Sequence, residues 1–306
     1  MRVSGFTFAR NAVRLLYPLV ESIRSVLPLV DEMVVNVGRS DDGTLELVRG
    51  IGDPRIVIVE STWDETSLER GRVLAEQTDI ALARCTGDAC LYLQADEVIH
   101  EDDHPRIRDS LLRMQDDRRV EGLIFDYVHF YGSFHTVGTS RVWYRQEVRA
   151  FRSGLGVGSW KDAQGFRIWA PPPGFTGERP RSLKTGDPAR KLQVARSGAR
   201  VFHYGWVRPP ERQEEKLAEF ARLYHGADAG RGPVGRSFSY DVEEKVRRFE
   251  GTHPAVMAAR VAELDWPFEP RARLLRPGHI REDLLDILEG ATGYRMGEYR
   301  NFELVR

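Results

Sequence analysis

The strongest constraint on the fold is a short apolar run that breaks into two adjacent carboxylates, Leu91-Tyr92-Leu93-Gln94-Ala95-Asp96-Glu97. Large apolar residues in a run of this length predict a buried strand. Carboxylates at the carboxyl end of such a strand lie where open α/β sheets bind their ligands. Because Mg²⁺ is commonly held between carboxylates and substrate phosphates, the run predicts a nucleotide–metal site. The alternative is that Asp96 caps the turn after the strand.

The composition is that of an ordinary globular protein. The chain has 306 residues, 41% of them hydrophobic and 30% charged, so it can bury one sizeable core with room for an appendage. A formal net charge of −1 excludes a dedicated nucleic-acid binder, which carries a basic excess. The sequence contains no apolar stretch that predicts a transmembrane helix and no signal peptide. We therefore expect a cytoplasmic protein, peripheral at the inner face of the membrane if its substrate is a lipid.

Strands and helices alternate through the first hundred residues. Apolar runs predict the strands, and apolar residues at three- and four-residue spacing predict the helices. Such alternation indicates βαβ units and a largely parallel sheet. The predicted strands are 3–8, 33–37, 55–60 and 91–94, and the predicted helices are 16–27, 45–48 and 68–83.

The pattern changes after residue 100. Val, Ile, Tyr, Phe and Trp are frequent in 122–130 and 140–151, which we interpret as longer strands, and 200–206 is a last strand. Gly and Pro are dense in 154–188, which predicts a long binding loop or lid. From residue 209 onward only helices are predicted, at 211–224, 241–249, 255–264 and 281–289.

Polar residues follow each of the four strands in the first hundred residues. Because the carboxyl ends of parallel strands gather along one edge of a sheet, these groups are expected to converge on one ligand. Each group also has a local explanation; Asp42, for example, is well placed to cap the helix at 45–48. The polar strand ends are Arg10-Asn11, Ser40-Asp41-Asp42-Gly43-Thr44, Glu60-Ser61 and Asp96-Glu97.

In the order and spacing of four segments, the first hundred residues resemble the family 2 glycosyltransferases, which have the GT-A fold and use nucleotide-sugar donors. The resemblance implies an α/β fold of GT-A type, with a Rossmann-like mixed, mostly parallel sheet flanked by helices and a helical C-terminal extension. Residues 1–208 would then form the nucleotide-sugar-binding and catalytic domain, and 209–306 a helical C-terminal region. The segments are Ser4-Gly5-Phe6-Thr7-Phe8-Ala9-Arg10-Asn11, Asp42-Gly43-Thr44, Gln77 with Ala81-Leu82, and Gln94-Ala95-Asp96-Glu97.

The resemblance implies roles for residues near the strand ends. Asp96 is expected to hold Mg²⁺ or Mn²⁺ against the diphosphate, where the metal neutralises the charge of the leaving group. Asp41 or Asp42 is expected to hydrogen-bond the base or to support the loop that does. The other residues expected at the nucleotide are Thr7, Phe8, Arg10, Asn11, Gln77 and Gln94.

Two positions depart from the family pattern. Gln94 replaces the first acid of the usual Asp-Ala-Asp, so it can bind a ribose hydroxyl but supplies no charge. Metal binding then rests on Asp96, with Glu97 as a second carboxylate. Asn36-Val37 stands where the family often has an acidic residue, so the base stays open among UDP-, GDP- and dTDP-linked donors.

The inverting mechanism of the family needs a carboxylate base that takes the proton of the acceptor hydroxyl. Asp162 is the candidate, because it lies in the Gly-rich segment after the longer strands, where the family commonly keeps its base. Trp160 and Phe166 flank it and are expected to offer aromatic faces to a sugar. The alternative is an exposed carboxylate paired with Lys161 or Arg167, and the rival bases are Glu178 and Asp187.

The last predicted strand carries His203, a candidate metal ligand. Imidazole suits Mn²⁺ better than Mg²⁺, and some GT-A enzymes complete their metal site from this part of the fold. The alternative is a hydrogen-bonded structural histidine. Arg208, Arg212 and Lys216 follow, and they either reach the diphosphate or form the solvated face of a helix.

The last predicted helix carries an apolar stripe. Such a stripe is typically core or a helix–helix contact, and the seam of a homodimer is the alternative. Its members, at helical spacing, are Ile280, Leu284, Leu285 and Leu288.

The resemblance, together with the polar strand ends, implies a metal-dependent, inverting glycosyltransferase of bacterial glycan biosynthesis. It would move a sugar from a nucleoside-diphosphate-sugar to a saccharide or other hydroxyl acceptor. Gln94 favours a second hypothesis, a nucleotide-sugar-binding module without catalysis. A nucleotidyltransferase ranks third, because such an enzyme holds triphosphate in a Gly-rich loop after the first strand and residues 8–11 contain no glycine.

Overall fold

The computed structural model describes residues 1–64, 69–225, 238–242, 244–263, 266–271 and 278–305. Within them, eleven strands form one sheet, and three further strands form a small second sheet. Helices pack on both faces of the large sheet. In the part of the chain so described, no helix has the length and apolar character needed to cross a bilayer.

The first part of the large sheet is the parallel unit that the sequence predicts. Its elements are β1 (Val3–Ala9), α1 (Leu19–Val26), β2 (Glu32–Gly38), α2 (Thr44–Arg49), β3 (Ile56–Ser61), α3 (Arg72–Leu82) and β4 (Ala89–Tyr92). The strands lie in the order β3-β2-β1-β4, and all three neighbouring pairs are parallel. Strands β1, β2 and β4 are almost entirely buried, which explains their continuous apolar runs.

After β4 the chain adds antiparallel strands to the same sheet. The elements are β5 (Glu97–Ile99), α4 (His104–Asp116), β6 (Gly122–Tyr131), β7 (Thr136–Gly138) and β8 (Gln146–Arg152). Strand β8 inserts between β4 and β6 and runs antiparallel to both. The sequence predicts no helix at α4, because its buried residues Ile107, Leu111 and Met114 stand among many charged ones.

A β-hairpin occupies the start of the segment predicted as a long loop. Its strands are β9 (Val157–Trp160) and β10 (Gly165–Trp169), and β11 (Ala189–Arg190) pairs with β10. The prediction of a loop over 154–188 is therefore wrong in its first part. The apolar residues between the glycines are buried there; Phe166, for example, packs edge-on against Phe6 and Tyr92 of the large sheet.

A long strand ties the C-terminal region to the large sheet. The remaining elements are β12 (Leu192–Trp206), α5 (Pro210–His225), β13 (Val246–Arg248), α6 (Ala258–Ala262), α7 (Ile280–Thr292) and β14 (Phe302–Leu304). Strand β12 runs parallel to β6 and β14 and antiparallel to β5. The helix predicted at 241–249 is wrong, because this segment contains β13, which pairs with β7. The division of the chain at residue 208 stays a prediction.

The architecture confirms the predicted fold class. A mixed sheet is flanked by helices, and its N-terminal unit is parallel. One face packs against α1 and α4 around Val35, Leu91 and Phe125. The other face packs against α3 and the hairpin around Phe6 and Tyr92. This is the GT-A type, Rossmann-like arrangement, with the C-terminal helices appended to it.

A buried ion pair fixes the turn between β4 and β5. The Arg149 guanidinium donates to both carboxylate oxygens of Glu97, at 2.9 and 2.8 Å, and both side chains are inaccessible to solvent. Tyr127 Oη and the backbone N–H of Gln94 donate to the same carboxylate, at 2.7 and 3.0 Å. The rings of Tyr92 and Tyr127 lie 5.3 Å from the guanidinium carbon. Strands β5, β6 and β8 are thereby joined at the strand end that carries Gln94.

A second buried carboxylate, Glu147, holds the hairpin turn against β8. One of its oxygens accepts a hydrogen bond from Gln164 Nε2 at 2.9 Å, and the other has no partner among the described residues. Burial raises the pKa of Glu147 to about 7, and the neighbouring charge of Arg149 opposes this rise only in part. The folded protein therefore keeps this proton to a higher pH than the unfolded chain does.

Arg149→Met is expected to lower the free energy of unfolding by about 3–5 kcal/mol, because it leaves the Glu97 carboxylate buried without a counter-charge. Urea unfolding at pH 7 measures the loss. The double variant Glu97→Leu/Arg149→Met removes both charges and is expected to recover much of it. An Arg149→Met protein as stable as the wild type would show that the pair does not hold the turn.

Glu147→Gln is expected to gain stability over the wild type as the pH rises. In the wild type the unfolded chain loses the Glu147 proton near pH 4.5 and the folded protein only near pH 7, so stability falls across this window. The difference in unfolding free energy between variant and wild type should therefore grow by about 2–3 kcal/mol between pH 5 and pH 8. Urea unfolding at the two pH values tests this, with the exposed Glu178→Gln as control; a difference independent of pH contradicts it.

Candidate active site

A concave pocket opens at the carboxyl ends of β1 and β4. Residues from the sheet edge, the hairpin turn and α5 surround it, although they lie far apart in the sequence. Among the predicted site residues, it is lined by Phe8, Arg10, Gln94, Asp96 and Asp162. Its other walls include Tyr17, Trp63, Tyr144, Glu219, Phe220 and Tyr224.

Asp96 lies in the turn between β4 and β5. Its carbonyl oxygen accepts a hydrogen bond from the N–H of Tyr204 at 2.8 Å, which holds the turn against β12. Its Oδ2 accepts a hydrogen bond from Lys216 Nζ at 3.0 Å and lies 3.8 Å from His203 Nε2. Burial opposes ionisation, but the nearby Lys216, His203 and Arg208 outweigh it and hold the pKa of Asp96 well below its usual range. Asp96 is therefore an anion at pH 7.

Lys216 extends from the buried face of α5 to this carboxylate. Its Nζ also donates to the carbonyl oxygen of Gly205 at 2.8 Å, and lies 5.2 and 5.4 Å from the ring centroids of Tyr17 and Phe220. Burial lowers the pKa of Lys216 to about 8, and the attraction of Asp96 limits the fall. Lys216 is thus mostly charged at pH 7, and it places a cation next to the pocket.

His203 and His129 lie side by side on the paired strands β12 and β6, with their Nδ1 atoms 2.9 Å apart. His129 Nε2 lies 2.7 Å from the carbonyl oxygen of Tyr144, which only accepts, so His129 carries a proton on Nε2. Burial lowers the pKa of His129 to about 3 and that of His203 to about 4, so both rings are neutral at pH 7. His203 must then donate from Nδ1 to His129. His203 Nε2 then carries no proton, and its lone pair lies near Asp96.

Asp96 and His203 form a donor set that fits a divalent cation. A carboxylate oxygen and a neutral imidazole nitrogen together suit Mn²⁺, and the hydrogen bond to His129 fixes the tautomer that binding requires. Gly205 keeps the adjacent space open, since a Cβ there would lie 2.4 Å from His203 Nε2 and 2.9 Å from Asp96 Oδ2. Among the described residues no three His, Cys, Asp or Glu side chains converge on one point. Substrate and water would therefore complete the coordination, in competition with Lys216.

Glu97 does not take part in this site. The expectation of a second metal-binding carboxylate is wrong, because Arg149 takes both of its oxygens in the interior. Gln94 does line the pocket, and its Nε2 donates to the carbonyl oxygen of Ala163 at 2.8 Å. This bond joins the end of β4 to the hairpin turn that carries Asp162.

Asp162 lies in the turn between β9 and β10, with both carboxylate oxygens oriented. The backbone N–H of Gln164 donates to Oδ1 at 2.9 Å, and Tyr224 Oη from α5 donates to Oδ2 at 3.0 Å. Each oxygen keeps a lone pair for a further partner. The turn and α5 therefore hold a carboxylate at the wall of the pocket in the way that a general base requires.

The residues that flank Asp162 do not play the parts expected from the sequence. Trp160 and Phe166 are buried, so the expectation that they offer faces to a sugar is wrong. Arg167 and Lys161, considered as ion-pair partners of Asp162, instead lie over the Trp160 ring, at 4.0 and 5.8 Å from its centroid. The aromatic rings that do line the pocket come from other segments of the chain.

Sequence reasoning misses the aromatic wall next to β3. Trp63 follows the polar strand end Glu60-Ser61, and its ring lies 6.0 Å from the ring of Phe8. The Arg10 guanidinium lies 5.1 Å from the Trp63 centroid. Gly38 makes room for the indole, since a Cβ at this residue would lie 2.3 Å from Trp63 Nε1. An aromatic residue two positions after a polar strand end is the signal that would have found it.

Besides Lys216, which pairs with Asp96, five predicted nucleotide-binding residues do not line this pocket: Thr7, Asn11, Asp41, Asp42 and Gln77. Asp42 accepts hydrogen bonds from the N–H groups of Arg14 and Thr44, at 2.8 and 3.1 Å, so it holds the turn that leads into α2. Gln77 Oε1 accepts from Asn36 Nδ2 at 2.9 Å inside the protein. Asp42 therefore supports the loop after β2, and Gln77 supports β2 itself. Direct contact of any of the five with a nucleotide stays a prediction.

Arg208 and Arg212 occupy different environments. Arg212 pairs with Glu215 at 3.0 Å on the exposed side of α5, as the solvated-face alternative predicts. Arg208 is buried behind the pocket, where it donates to the carbonyl oxygen of Leu15 at 2.8 Å and lies 5.0 Å from the Tyr17 ring centroid. The positive charge of Arg208 helps to lower the pKa of Asp96.

Comparison with known proteins finds likeness only among solved structures; no protein-family model and no curated protein sequence matches the chain. TarS 1–349 from S. aureus is 16% identical, with a TM-score of 0.42 over 75% of this chain and 68% of that one. Mannosyl-3-phosphoglycerate synthase from Rubrobacter xylanophilus is 21% identical, with a TM-score of 0.30 over 42% of this chain and 41% of that one. The mannosyltransferase from Pyrobaculum calidifontis, solved with GDP-Man and Mn²⁺, is 21% identical, with a TM-score of 0.35 over 50% and 45%.

The chain spans less than half of the length of the latter two structures. The sheet order and the pocket at the carboxyl edge of the parallel strands are observations on the chain itself. They give the chain a GT-A type fold, the fold of the glycosyltransferases that its first hundred residues resemble.

Proposed function

We propose that the protein is a glycosyltransferase that binds a nucleoside-diphosphate-sugar in this pocket and transfers the sugar to a hydroxyl acceptor. The observation that carries the proposal is that two carboxylates line one pocket: Asp96, which is paired with the cation Lys216 beside the pocket, and Asp162, which is oriented by Tyr224. Sugar transfer needs both a charge partner for the departing diphosphate and a base for the incoming hydroxyl. The donors we expect are UDP-, GDP- or dTDP-linked, and the acceptor is a saccharide or another hydroxyl compound.

The proposed reaction is a single displacement with inversion. The acceptor oxygen forms a bond to the anomeric carbon while the bond from that carbon to the diphosphate oxygen breaks. Asp162 takes the hydroxyl proton on a lone pair that its partners Gln164 and Tyr224 leave unused. Phe8, Trp63 and Arg10 offer the nucleobase of the donor a stacking surface. Lys216 stabilises the negative charge of the departing diphosphate.

Mn²⁺ or Mg²⁺ belongs to the proposal, with Asp96 and His203 as its protein ligands. When bound, the cation would neutralise the charge that develops on the nucleoside diphosphate. His129 acts as a positioning residue, because it keeps the proton of His203 on Nδ1 and the lone pair on Nε2. Lys216, once separated from Asp96, is able to donate to phosphate oxygens.

A nucleotide-sugar-binding module without catalysis is the second candidate. It is favoured by Gln94 in the place of an acid and by Lys216 on the carboxylate oxygen that a metal would need. Nucleotide binding without turnover of any donor would select this candidate. No feature of the described residues favours a nucleotidyltransferase over either.

Cytoplasmic location, a role in bacterial glycan biosynthesis and a homodimer belong to the same proposal. On α7 the residues Ile280, Leu284 and Leu288 are about half exposed, so the apolar stripe is not core. A seam between two copies is consistent with this exposure, and size-exclusion chromatography of Leu284→Glu against the wild type would decide it.

Nucleoside diphosphates are expected to raise the Tm of the protein, since a ligand bound only by the folded state stabilises it by mass action. A thermal-shift series with UDP, GDP, CDP and dTDP, with and without Mn²⁺, measures the effect. Asp96→Asn and His203→Ala are expected to lose the Mn²⁺-dependent part of the shift. Asp116→Asn on the exposed side of α4 is the control, and no shift with any nucleotide would overturn the proposed function.

Asp162→Asn is expected to slow donor turnover by about 10²–10⁴-fold, the range for loss of a general base, and to leave the nucleotide shift unchanged. Asparagine retains an acceptor for the N–H of Gln164, so the turn should persist. The measurement is release of nucleoside diphosphate from the donor that binds best. Asp187→Asn, the rival carboxylate in the following loop, is the matched control. Full activity of Asp162→Asn together with loss in Asp187→Asn would move the base to Asp187.

A further inference from the structure

A second pocket lies beside the active-site pocket and shares two of its walls, Tyr144 and Gln164. It is formed by the segment before β8 and the segment before β14. We call it the arginine pocket, after the four arginines that line it: Arg141, Arg145, Arg295 and Arg300.

The arginines of this pocket outnumber the carboxylates that neutralise them. Glu289 accepts hydrogen bonds from two of the guanidinium groups, at 3.0 and 2.7 Å. Glu298 accepts from the other two, at 2.7 and 3.0 Å. A third carboxyl, that of Glu147, also lines the pocket, but its raised pKa of about 7 leaves it partly protonated at neutral pH. The pocket therefore has an excess of positive charge.

Two of the arginines are fixed in the wall, and two lie at the opening. The side chains of Arg295 and Arg141 are 9% and 14% exposed, and each also donates to a backbone carbonyl oxygen. The side chains of Arg145 and Arg300 are 38% and 45% exposed. Arg295 Nη2 and Arg300 Nη1 make no hydrogen bond to the described residues, so donors remain for a ligand.

We propose that the arginine pocket binds a phosphate group carried by the acceptor, an inference that rests on the proposed function. Guanidinium groups match phosphate oxygens with two parallel hydrogen bonds, which makes arginine the preferred residue for such a ligand. An excess of positive charge in a concave site selects an anion over a neutral saccharide. The acceptor class is therefore a hydroxyl compound that bears a phosphate ester.

The position of the pocket supports this assignment. Gln164 lines both pockets, and its backbone N–H donates to Asp162 Oδ1 at 2.9 Å. A compound whose phosphate lies among the arginines extends past Tyr144 and Gln164 to the side of the pocket where Asp162 lies. Its hydroxyl then meets the base while its charge is held in the neighbouring pocket.

The test measures binding of glycerol 3-phosphate and of neutral glycerol by isothermal titration calorimetry. The wild type is expected to bind glycerol 3-phosphate and not glycerol. Arg145→Ala/Arg300→Ala, which removes the two exposed arginines, is expected to weaken binding at least about tenfold, the effect of losing charge-assisted hydrogen bonds. The matched control Arg49→Ala/Arg119→Ala removes two exposed, carboxylate-paired arginines elsewhere and should bind as the wild type does. Equal binding by both double variants overturns the proposal.

The same proteins are tested with UDP and GDP by thermal shift, so that the two hypotheses fail separately. An unchanged nucleotide shift in Arg145→Ala/Arg300→Ala, with phosphate binding lost, supports the proposal. Competition of glycerol 3-phosphate with the nucleotide overturns the proposal, because the phosphate would then lie in the active-site pocket. Absence of any nucleotide shift overturns the proposed function, and with it the acceptor role, even where phosphate binds. If the double variant does not fold, Arg300→Ala alone is expected to weaken phosphate binding about threefold.

The phosphate group of the acceptor could belong to a water-soluble ester or to a lipid headgroup. Binding to lipid vesicles distinguishes the two. Sedimentation with phosphatidylglycerol vesicles, compared with phosphatidylcholine vesicles, measures the lipid arm. Binding of phosphatidylglycerol that is lost in Arg145→Ala/Arg300→Ala supports a phospholipid acceptor. Binding of glycerol 3-phosphate alone supports a water-soluble phosphate ester. Binding of neither overturns the proposal.

Discussion

The buried ion pair between Glu97 and Arg149 is the interaction on which the site depends. Asp96 and Glu97 are adjacent, and successive side chains of an extended segment point to opposite sides. The Asp96 carboxylate can therefore face the pocket only if the Glu97 carboxylate is buried in the interior. A carboxylate buried without a partner costs several kcal/mol, and here a bidentate guanidinium and the Tyr127 hydroxyl offset that cost. Because Arg149 belongs to β8 and Tyr127 to β6, the pair also fixes the added strands against the parallel unit.

Asp96 differs from Glu97, because it is a buried carboxylate that stays charged at the wall of the pocket. Its counter-charges come from the C-terminal half of the chain, Lys216 on α5 and Arg208 before it, and its neighbour His203 is kept neutral on β12. The N-terminal parallel unit therefore supplies the anion, and the later elements decide what lies next to it. Because Lys216 Nζ donates to Asp96 Oδ2, the proposed cation would have to displace Lys216 to bind there.

Much of the fold and part of the site could be predicted from the sequence. Periodicity identifies the alternating strands and helices of the first hundred residues, and the polar strand ends place Asp96 at the correct edge. Side-chain direction is not encoded in such patterns, so the sequence predicts a metal-binding role for Glu97, which is instead an interior ion partner. Asp42 accepts a hydrogen bond from the N–H of Thr44 in the loop after β2, and its contact with a nucleotide stays a prediction. The hairpin and Trp63 were missed because their packing partners lie far away in the sequence, where no local period reveals them.

The direction of one strand explains why the active-site pocket and the arginine pocket adjoin. Strand β8 runs antiparallel to β4, so its first residues, not its last, lie at the carboxyl edge of the parallel unit. That orientation brings Tyr144 and Glu147 to the ligand side, with Arg145 between them, while Arg149 further along the strand reaches Glu97 in the interior. A parallel strand at this position would place the same residues at the opposite edge. One antiparallel insertion thus supplies the anchor of the turn, a wall of the active-site pocket and part of the arginine pocket.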